Sequence, residues 1–443
     1  MGNITAVRDL LRDANDNLVE NISEFTDQQL NFETDSVLTD VIDRIPVHEL
    51  PGILAWRATD PYLSRTPMLL LGASAIGKTE AVRQGVELAA EIMGRSHTIH
   101  EMHVSQMMIA DVMGVPRDDG KGRTVYYPPR AFNLISAEPE QEAAYQAFLQ
   151  EFHLTGKTNY ELLKAFPWHI YFWDEVTNPS NPSTVHQCFS LWMGNFVADH
   201  PLTGDCFHIL AGNRAYDGTN SIELAKSAVT RVDKIEVVPS FAGWLQNFAL
   251  KVDAQGNSRI HPMIIAYLWR YPGRFAPETL DLEAMTAHPS PRTWEFASKL
   301  MYAWDRKPTI TETQLKAMVA GHIGEAETNT FWAFKKYWEE VPDVNRLLNS
   351  NQVGDGPYGW LPKDWPTRPD LLMMMVTQMS AKLDERNAKR YMAFLMDVTK
   401  FDKEYSGIAI KMLRPMNKLQ FLAHDWAPAE FSKWCLEFKE FMI

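Results

Sequence analysis

Cysteine is scarce in this chain: three residues in 443, Cys188, Cys206 and Cys435, with no CxxC pair among them. Spacing this wide excludes a disulfide framework and a cysteine-rich metal finger, and an odd count fits a reducing compartment. Long apolar runs are missing too. None reaches the roughly 18 residues that a membrane helix needs, and the N-terminus is polar and acidic rather than basic then apolar, so neither a membrane span nor a signal peptide is expected. Positive charge is in short supply, with 43 Lys and Arg against 56 Asp and Glu for a formal net charge of −13. Binding along a phosphate backbone requires a concentrated excess of Lys and Arg, which argues against a general nucleic-acid surface and leaves only a local basic patch open. There is no internal repeat and no low-complexity tract. What is present, 45% hydrophobic and 22% charged residues, reads as a soluble globular chain of two or three domains, expected in the cytoplasm.

Much of the negative charge lies in residues 1–45, where Asp9, Asp13, Asp16, Glu20, Glu24, Asp27, Glu33, Asp35, Asp40 and Asp43 face only Arg8, Arg12 and Arg44. Helical spacing of Ile4, Val7, Leu10, Leu11 and Leu18 makes this an acidic amphipathic segment, either a solvated helix resting on the core or a docking element for a basic partner. From Ile45 to Thr66 the chain is punctuated by Pro46, Pro51 and Pro61, with Pro67 next, and reads as the approach to a ligand site whose backbone covers an adenine.

That site is announced by Met68-Leu-Leu-Leu-Gly-Ala-Ser-Ala-Ile-Gly-Lys-Thr-Glu80. The apolar run Met68 to Leu71 reads as a buried parallel strand that breaks at Gly72. Ala73, Ser74, Ala75 and Ile76 then lead to Gly77, Lys78 and Thr79, giving the GxxxxGK[ST] phosphate-binding loop, with Glu80 in the helix behind it. Small residues let successive N–H groups turn inward while the helix starting near Lys78 aims its positive end at the same point. The pattern fits ATP with Mg²⁺: Lys78 reaches the β- and γ-phosphates, and the Thr79 hydroxyl binds the metal.

Further along, His97 to Val104 alternates enough to be a strand, in which His97, His100 and His103 cannot share one face, so satisfied or solvated histidines are expected rather than metal ligands. The Gly-rich turn Asp118 to Gly122 reads as a hairpin whose tip, Lys121 to Arg123, either grips a substrate or is a plain exposed turn. Residues 137–166 are polar and helical and read as an insertion. Trp168-His-Ile-Tyr-Phe-Trp-Asp-Glu175 is a strand buried on both faces that ends in two carboxylates, at the edge where open α/β sheets bind ligands. Asp174 there suits Mg²⁺ held through water, and Glu175 suits the base that polarises the attacking water. Phe207 to Arg214 forms a third strand. It ends in Asn213, which either orients the lytic water beside the γ-phosphate or simply starts a turn. Asp233 to Val238 is a fourth. Residues 240–307 become helical and aromatic, with Trp244, Phe248, Tyr267, Trp269 and Trp294 read as packing, and from about 310 the chain is all helix, broken at Gly354 to Pro357 and Pro362 to Pro369. Leu371 to Met379 is apolar nearly all round and reads as a core helix.

In this order the motifs GASAIGKT (72–79), DVMGVP (111–116), FWDEVTNPS (172–180), ILAGNRAYDG (209–218), AVTRVDKIEVVP (228–239), HPMIIAYLWRYP (261–272), SPRTWEFAS (290–298) and AGHIGEAETNTFWAF (320–334) make the stretch from 67 to about 345 resemble the MoxR-like branch of AAA+ ATPases, with its CbbQ, NorQ and GvpN activators. The resemblance implies an α/β P-loop core with a parallel sheet between helices (46–240) and a helical lid (241–345); the acidic segment 1–45 and the helical C-terminal extension (346–443) lie outside it and are read from their own patterns. It implies a homo-oligomeric ring, a hexamer favoured, with ATP at subunit boundaries. Carried over by position, Asp174 and Glu175 are the Walker B pair, Asn213 is sensor 1, Arg292 is sensor 2, and Arg231 is the finger offered to a neighbour's γ-phosphate, with Arg214 its rival. The family implies a protein client, one bearing a von Willebrand A-type domain or a metalloenzyme being activated. Val232 stands where an aromatic is more usual. A nucleic-acid motor or a restriction or packaging NTPase subunit is the alternative reading, and a scaffold that binds ATP without turnover is disfavoured by the intact Glu175.

Overall fold

The computed structural model describes residues 44–422 apart from 158, 215–216, 218–220, 223, 225–228, 254–256, 278–286, 342 and 350–368. The acidic segment 1–43, the breaks expected at 354–357 and 362–368, and Cys435 lie outside the described residues.

Ten strands occur among the described residues: β1 (Ile45–Pro46), β2 (Met68–Leu71), β3 (His97–His103), β4 (Val115–Asp118), β5 (Thr124–Tyr127), β6 (Trp168–Asp174), β7 (Phe196–Val197), β8 (His200–Pro201), β9 (Cys206–Gly212) and β10 (Asp233–Val238). Six of them form one sheet in the order β1-β10-β2-β9-β6-β3, every pairing parallel. Register fixes which residues reach the same edge. Leu71 pairs with Gly212, Leu210 with Trp173 and His103 with Asp174, so the strand ends before Gly72, Asn213 and Glu175 lie side by side.

Period-two alternation explains why these strands read as unbroken apolar runs. Met68, Leu70, Ile170, Phe172, Ile209 and Ala211 pack on one face against Leu50, Leu54, Val82 and Val86, from the helices Leu50–Thr59 and Lys78–Met93. Leu69, Tyr171, Trp173 and Leu210 point the other way, against Val185, Cys188, Leu191 and Trp192 of the helix Pro182–Gly194. A strand covered on both sides has no solvent face to fill with polar residues. The fold is therefore the expected α/β P-loop core, a parallel sheet between helices, followed by a helical region.

Apolar residues of that helical region share one cluster, in which Met263, Trp294 and Phe331 join Leu372, Met375, Phe394 and Leu413. Leu371 to Val376 are all buried in the helix Pro369–Lys382, as an all-round apolar segment requires. The segment read as an insertion is helical at Pro139–Thr155 and Tyr160–Leu163 and keeps a small cluster of its own, Tyr145, Phe148, Leu149 and Leu163. β4 and β5 pair antiparallel as the Gly-rich hairpin, with Arg123 Nε donating to Asp119 Oδ2 at 3.0 Å across its tip. No helix among the described residues is long and apolar enough to cross a membrane.

Candidate nucleotide site

Gly72 ends β2 where no larger residue fits, because a Cβ there would lie 2.4 Å from the carbonyl oxygen of Val237 on the neighbouring β10. Past it the loop turns through left-handed backbone at Ala75 (φ 64°) and Gly77 (φ 105°), and the helix Lys78–Met93 begins at once. Its first-turn amides point along the axis toward the loop and give the concavity its positive end. That helix closes on Gly94 (φ 60°), whose N–H bonds the carbonyls of Ala90 and Glu91.

Lys78 is buried, 8% exposed. Its Nζ donates to Gly72 O at 2.6 Å, Ala73 O at 2.9 Å and Asn213 Oδ1 at 3.3 Å. All three acceptors are neutral. Burial pushes its pKa down to about 8, against the raising pull of Asp174. Opposite, Asp174 at the end of β6 uses Oδ1 to accept the Glu175 N–H at 2.9 Å and turns Oδ2 toward the Thr79 hydroxyl at 3.3 Å. This hydroxyl and carboxylate oxygen, in direct hydrogen-bond contact, form a hard, all-oxygen donor set that fits Mg²⁺ keeping its waters, and does not fit a soft metal. The phosphate loop with Lys78 fits a polyanion in the same way.

Glu175 follows in left-handed backbone (φ 59°). Past this turn the Val176 N–H returns to the Ala211 carbonyl at 3.0 Å. The Ser105 hydroxyl, just past β3, donates to Glu175 Oε2. Arg292 enters from the helical region. Ser290 caps the helix Pro291–Arg306 by accepting from Thr293 N at 3.2 Å, Thr293 Oγ1 accepts from Ser290 N at 2.8 Å, and Pro291 occupies the first turn. Arg292 lies in that first turn.

These groups border one cavity of about 550 Å³, lined by Ser74, Ala75, Ile76, Gly77, Lys78, Thr79 and Glu80 together with Asp174, Glu175, Asn213 and Arg292. Gly72 is behind the wall and reaches the site through its carbonyl. Arg231 does not line this cavity; it is exposed at the start of the chain into β10. Arg214 is buried and forks onto Asp217 at 2.7 to 3.1 Å.

Sequence reasoning reached only part of the far wall. Val47, His48, Trp244, Asn247, Phe248, Arg259 and Glu295 line the same space, and Arg259 stacks its guanidinium 3.9 Å over the Phe248 ring. Trp244 and Phe248, read as packing, therefore also face the cavity. Burial lowers the His48 pKa, which favours a neutral imidazole at the wall. Val47 and His48 fall in the Pro-punctuated approach 45–66 expected to cover an adenine, while nothing in the sequence marks the others as lining, far from it along the chain. The histidines of β3 are the opposite case: His100 stacks on Tyr171 at 4.5 Å and meets His169 Nδ1 through Nε2 at 3.1 Å, a satisfied residue of the sheet.

Strand, glycine loop and helix, with paired carboxylates two strands away, define an α/β core of the P-loop class. No protein-family model and no curated protein matches the chain. Among solved structures it is similar to a candidate ATPase of Cytophaga hutchinsonii, at 12% identity and a TM-score of 0.28 over 84% of this chain and 83% of that one. It is also similar to PCH-2 of C. elegans, at 14% identity and a TM-score of 0.24 over 76% and 67%. Similarity at that level carries no functional argument, which rests on the site itself.

Proposed function

We propose that this chain is a Mg²⁺-dependent ATPase of the AAA+ class, MoxR-like in branch, that works in the cytoplasm as a homo-oligomeric ring, a hexamer favoured, and couples ATP hydrolysis to remodelling of a protein client. The observation that carries the reading is the convergence of Lys78, Thr79, Asp174, Glu175, Asn213 and Arg292 on one cavity large enough for a nucleoside triphosphate. Sequence separation makes that convergence informative, since the six residues come from four segments.

In this reading Lys78 exchanges its neutral acceptors for the β- and γ-phosphate oxygens, and Thr79 and Asp174 would hold Mg²⁺, which would supply neutralisation of developing charge. Glu175 takes the proton of the attacking water, Asn213 orients that water, and Arg292 reads the γ-phosphate from the helical side. The base lies toward Val47, His48, Trp244 and Phe248. Arg231 serves the neighbouring subunit. Its exposure away from its own cavity supports that role, whereas Arg214 already has its guanidinium committed to Asp217. The domain boundaries 46–240 and 241–345, and a client with a von Willebrand A-type domain, rest on the family resemblance alone.

Glu175→Gln tests the assignment, because an amide cannot accept the water's proton while Asp174 still serves the metal. Bound nucleotide is retained and turnover falls about 10²- to 10⁴-fold. An unchanged ATPase rate in that variant refutes the role of Glu175.

A further inference from the structure

Asn213 stands one residue beyond the last ladder position of β9, where a strand's amides run out of partners. On one side the Gly212 carbonyl takes the Gly72 N–H at 3.2 Å, and on the other the Ala211 carbonyl takes the Val176 N–H at 3.0 Å. The Asn213 N–H itself is taken by a side chain, Thr177 Oγ1 at 2.8 Å. Thr177 is 4% exposed and lies outside the cavity lining.

Its placement follows from Glu175. Left-handed backbone there (φ 59°) folds the chain back across the end of β9, and two residues later Thr177 covers Gly212. A Cβ on Gly212 would lie 2.6 Å from Thr177 Cγ2 and 2.8 Å from Oγ1, so methyl and hydroxyl together fill the space a side chain would need. The Thr177 carbonyl accepts the Ile222 N–H at 2.7 Å, so one residue holds the chain both where it reaches Asn213 and where it returns. Asn213 Oδ1 in turn accepts from Lys78 Nζ at 3.3 Å.

We propose that Thr177 is a positioning residue for the reaction: its hydroxyl, by fixing the Asn213 amide, sets where the Asn213 side chain stands between Lys78 and the terminal phosphate. The proposal rests on the ATPase reading above for its consequence and on the geometry for the tether. Without the hydroxyl the half-buried Asn213 N–H loses its acceptor, and the backbone is free to shift toward another. A displacement of about 1 Å at a group aligned with the reacting atoms costs on the order of 10²-fold in rate.

The test compares Thr177→Val, which keeps the shape, with Thr177→Ser, which keeps the hydroxyl. Turnover, KM for ATP, affinity for a non-hydrolysable ATP analogue, and backbone amide exchange at Asn213 are measured in the full chain. Thr177→Val lowers kcat about 10- to 100-fold with analogue affinity within about threefold, and speeds exchange at Asn213. Thr177→Ser restores both. Equal kcat in Thr177→Val and the native chain overturns the proposal, and so does a Ser variant as slow as the Val variant, since that makes the methyl packing decisive. A native chain that binds nucleotide without hydrolysing it sinks the ATPase reading instead. The exchange measurement then decides the tether, and unchanged exchange in Thr177→Val overturns it.

Discussion

Buried charge sits at both edges of the central sheet, and the two edges treat it differently. At the edge where the strands begin, Arg95 pairs with Asp205, and the Arg95 guanidinium also donates to the carbonyls of Phe166 at 2.6 Å and Pro167 at 2.8 Å. Tyr145 donates its hydroxyl to Asp205 at 3.0 Å. Cation faces anion here, with burial still pushing the Asp205 carboxyl pKa up against the pull of Arg95, and Tyr145 ties the helix Pro139–Thr155 to the sheet. At the edge where the strands end, Lys78 is nearly as buried but its hydrogen bonds go to two backbone carbonyls and an amide. An ammonium held by neutral acceptors, with burial pushing its pKa down to about 8, is poised to gain from an anion. A matched buried pair belongs to the architecture, while a buried cation short of an anion marks a place for a ligand.

Removing each charge separates the two edges. Lys78→Ala should cost the most where function is read: nucleotide affinity falls by about 3–5 kcal/mol, on the order of a hundredfold to a thousandfold or more. Its unfolding midpoint, measured without nucleotide, should hold or rise, because a poorly compensated buried charge has gone. A clear loss of unliganded stability in Lys78→Ala breaks the comparison. Asp205→Ala should do the reverse, losing about 3–4 kcal/mol of stability in denaturant unfolding because the buried Arg95 is left uncompensated, with nucleotide affinity unchanged in whatever fraction stays folded.

The smallest effect comes from pH. The free Lys78 titrates at about 8, and bound phosphates favour its charged form and raise that value. Well below pH 8 Lys78 is charged before and after binding and contributes no slope. Above pH 8 binding must take up a proton, so affinity falls by up to about tenfold per pH unit until the pKa of the bound state is reached. Calorimetry in buffers of different ionisation heat reads that proton directly. Lys78→Met should abolish the slope, and a slope that survives in Lys78→Met assigns it to another group.

Several parts of this architecture were legible in the sequence because their causes are local. Met68–Leu71, Trp168–Asp174 and Asp233–Val238 are strands as read, since a doubly covered strand must be apolar at successive positions. The phosphate loop was legible for the same reason, its glycines and Lys78 being neighbours along the chain. Ser105 on Glu175 and Thr177 on Asn213 were not, with partners 70 and 36 residues away. Neither a serine after a strand nor a threonine after Asp-Glu differs from any other until the register of β3, β6 and β9 is known.

The amino-acid order by itself determined the pieces: which segments become strands, where the chain must turn left-handed at Gly77, and which side chains carry charge or a hydroxyl. Tertiary structure alone decided their company. Sheet order puts β9 between β2 and β6, so an amide stands between the lysine and the carboxylates, and the packing of the helical region brings Arg292, Trp244 and Phe248 to the same cavity. Local rules act over a few bonds. The distances that make a site are set by the packing of faces far apart in the chain, where pattern alone carries no coordinate.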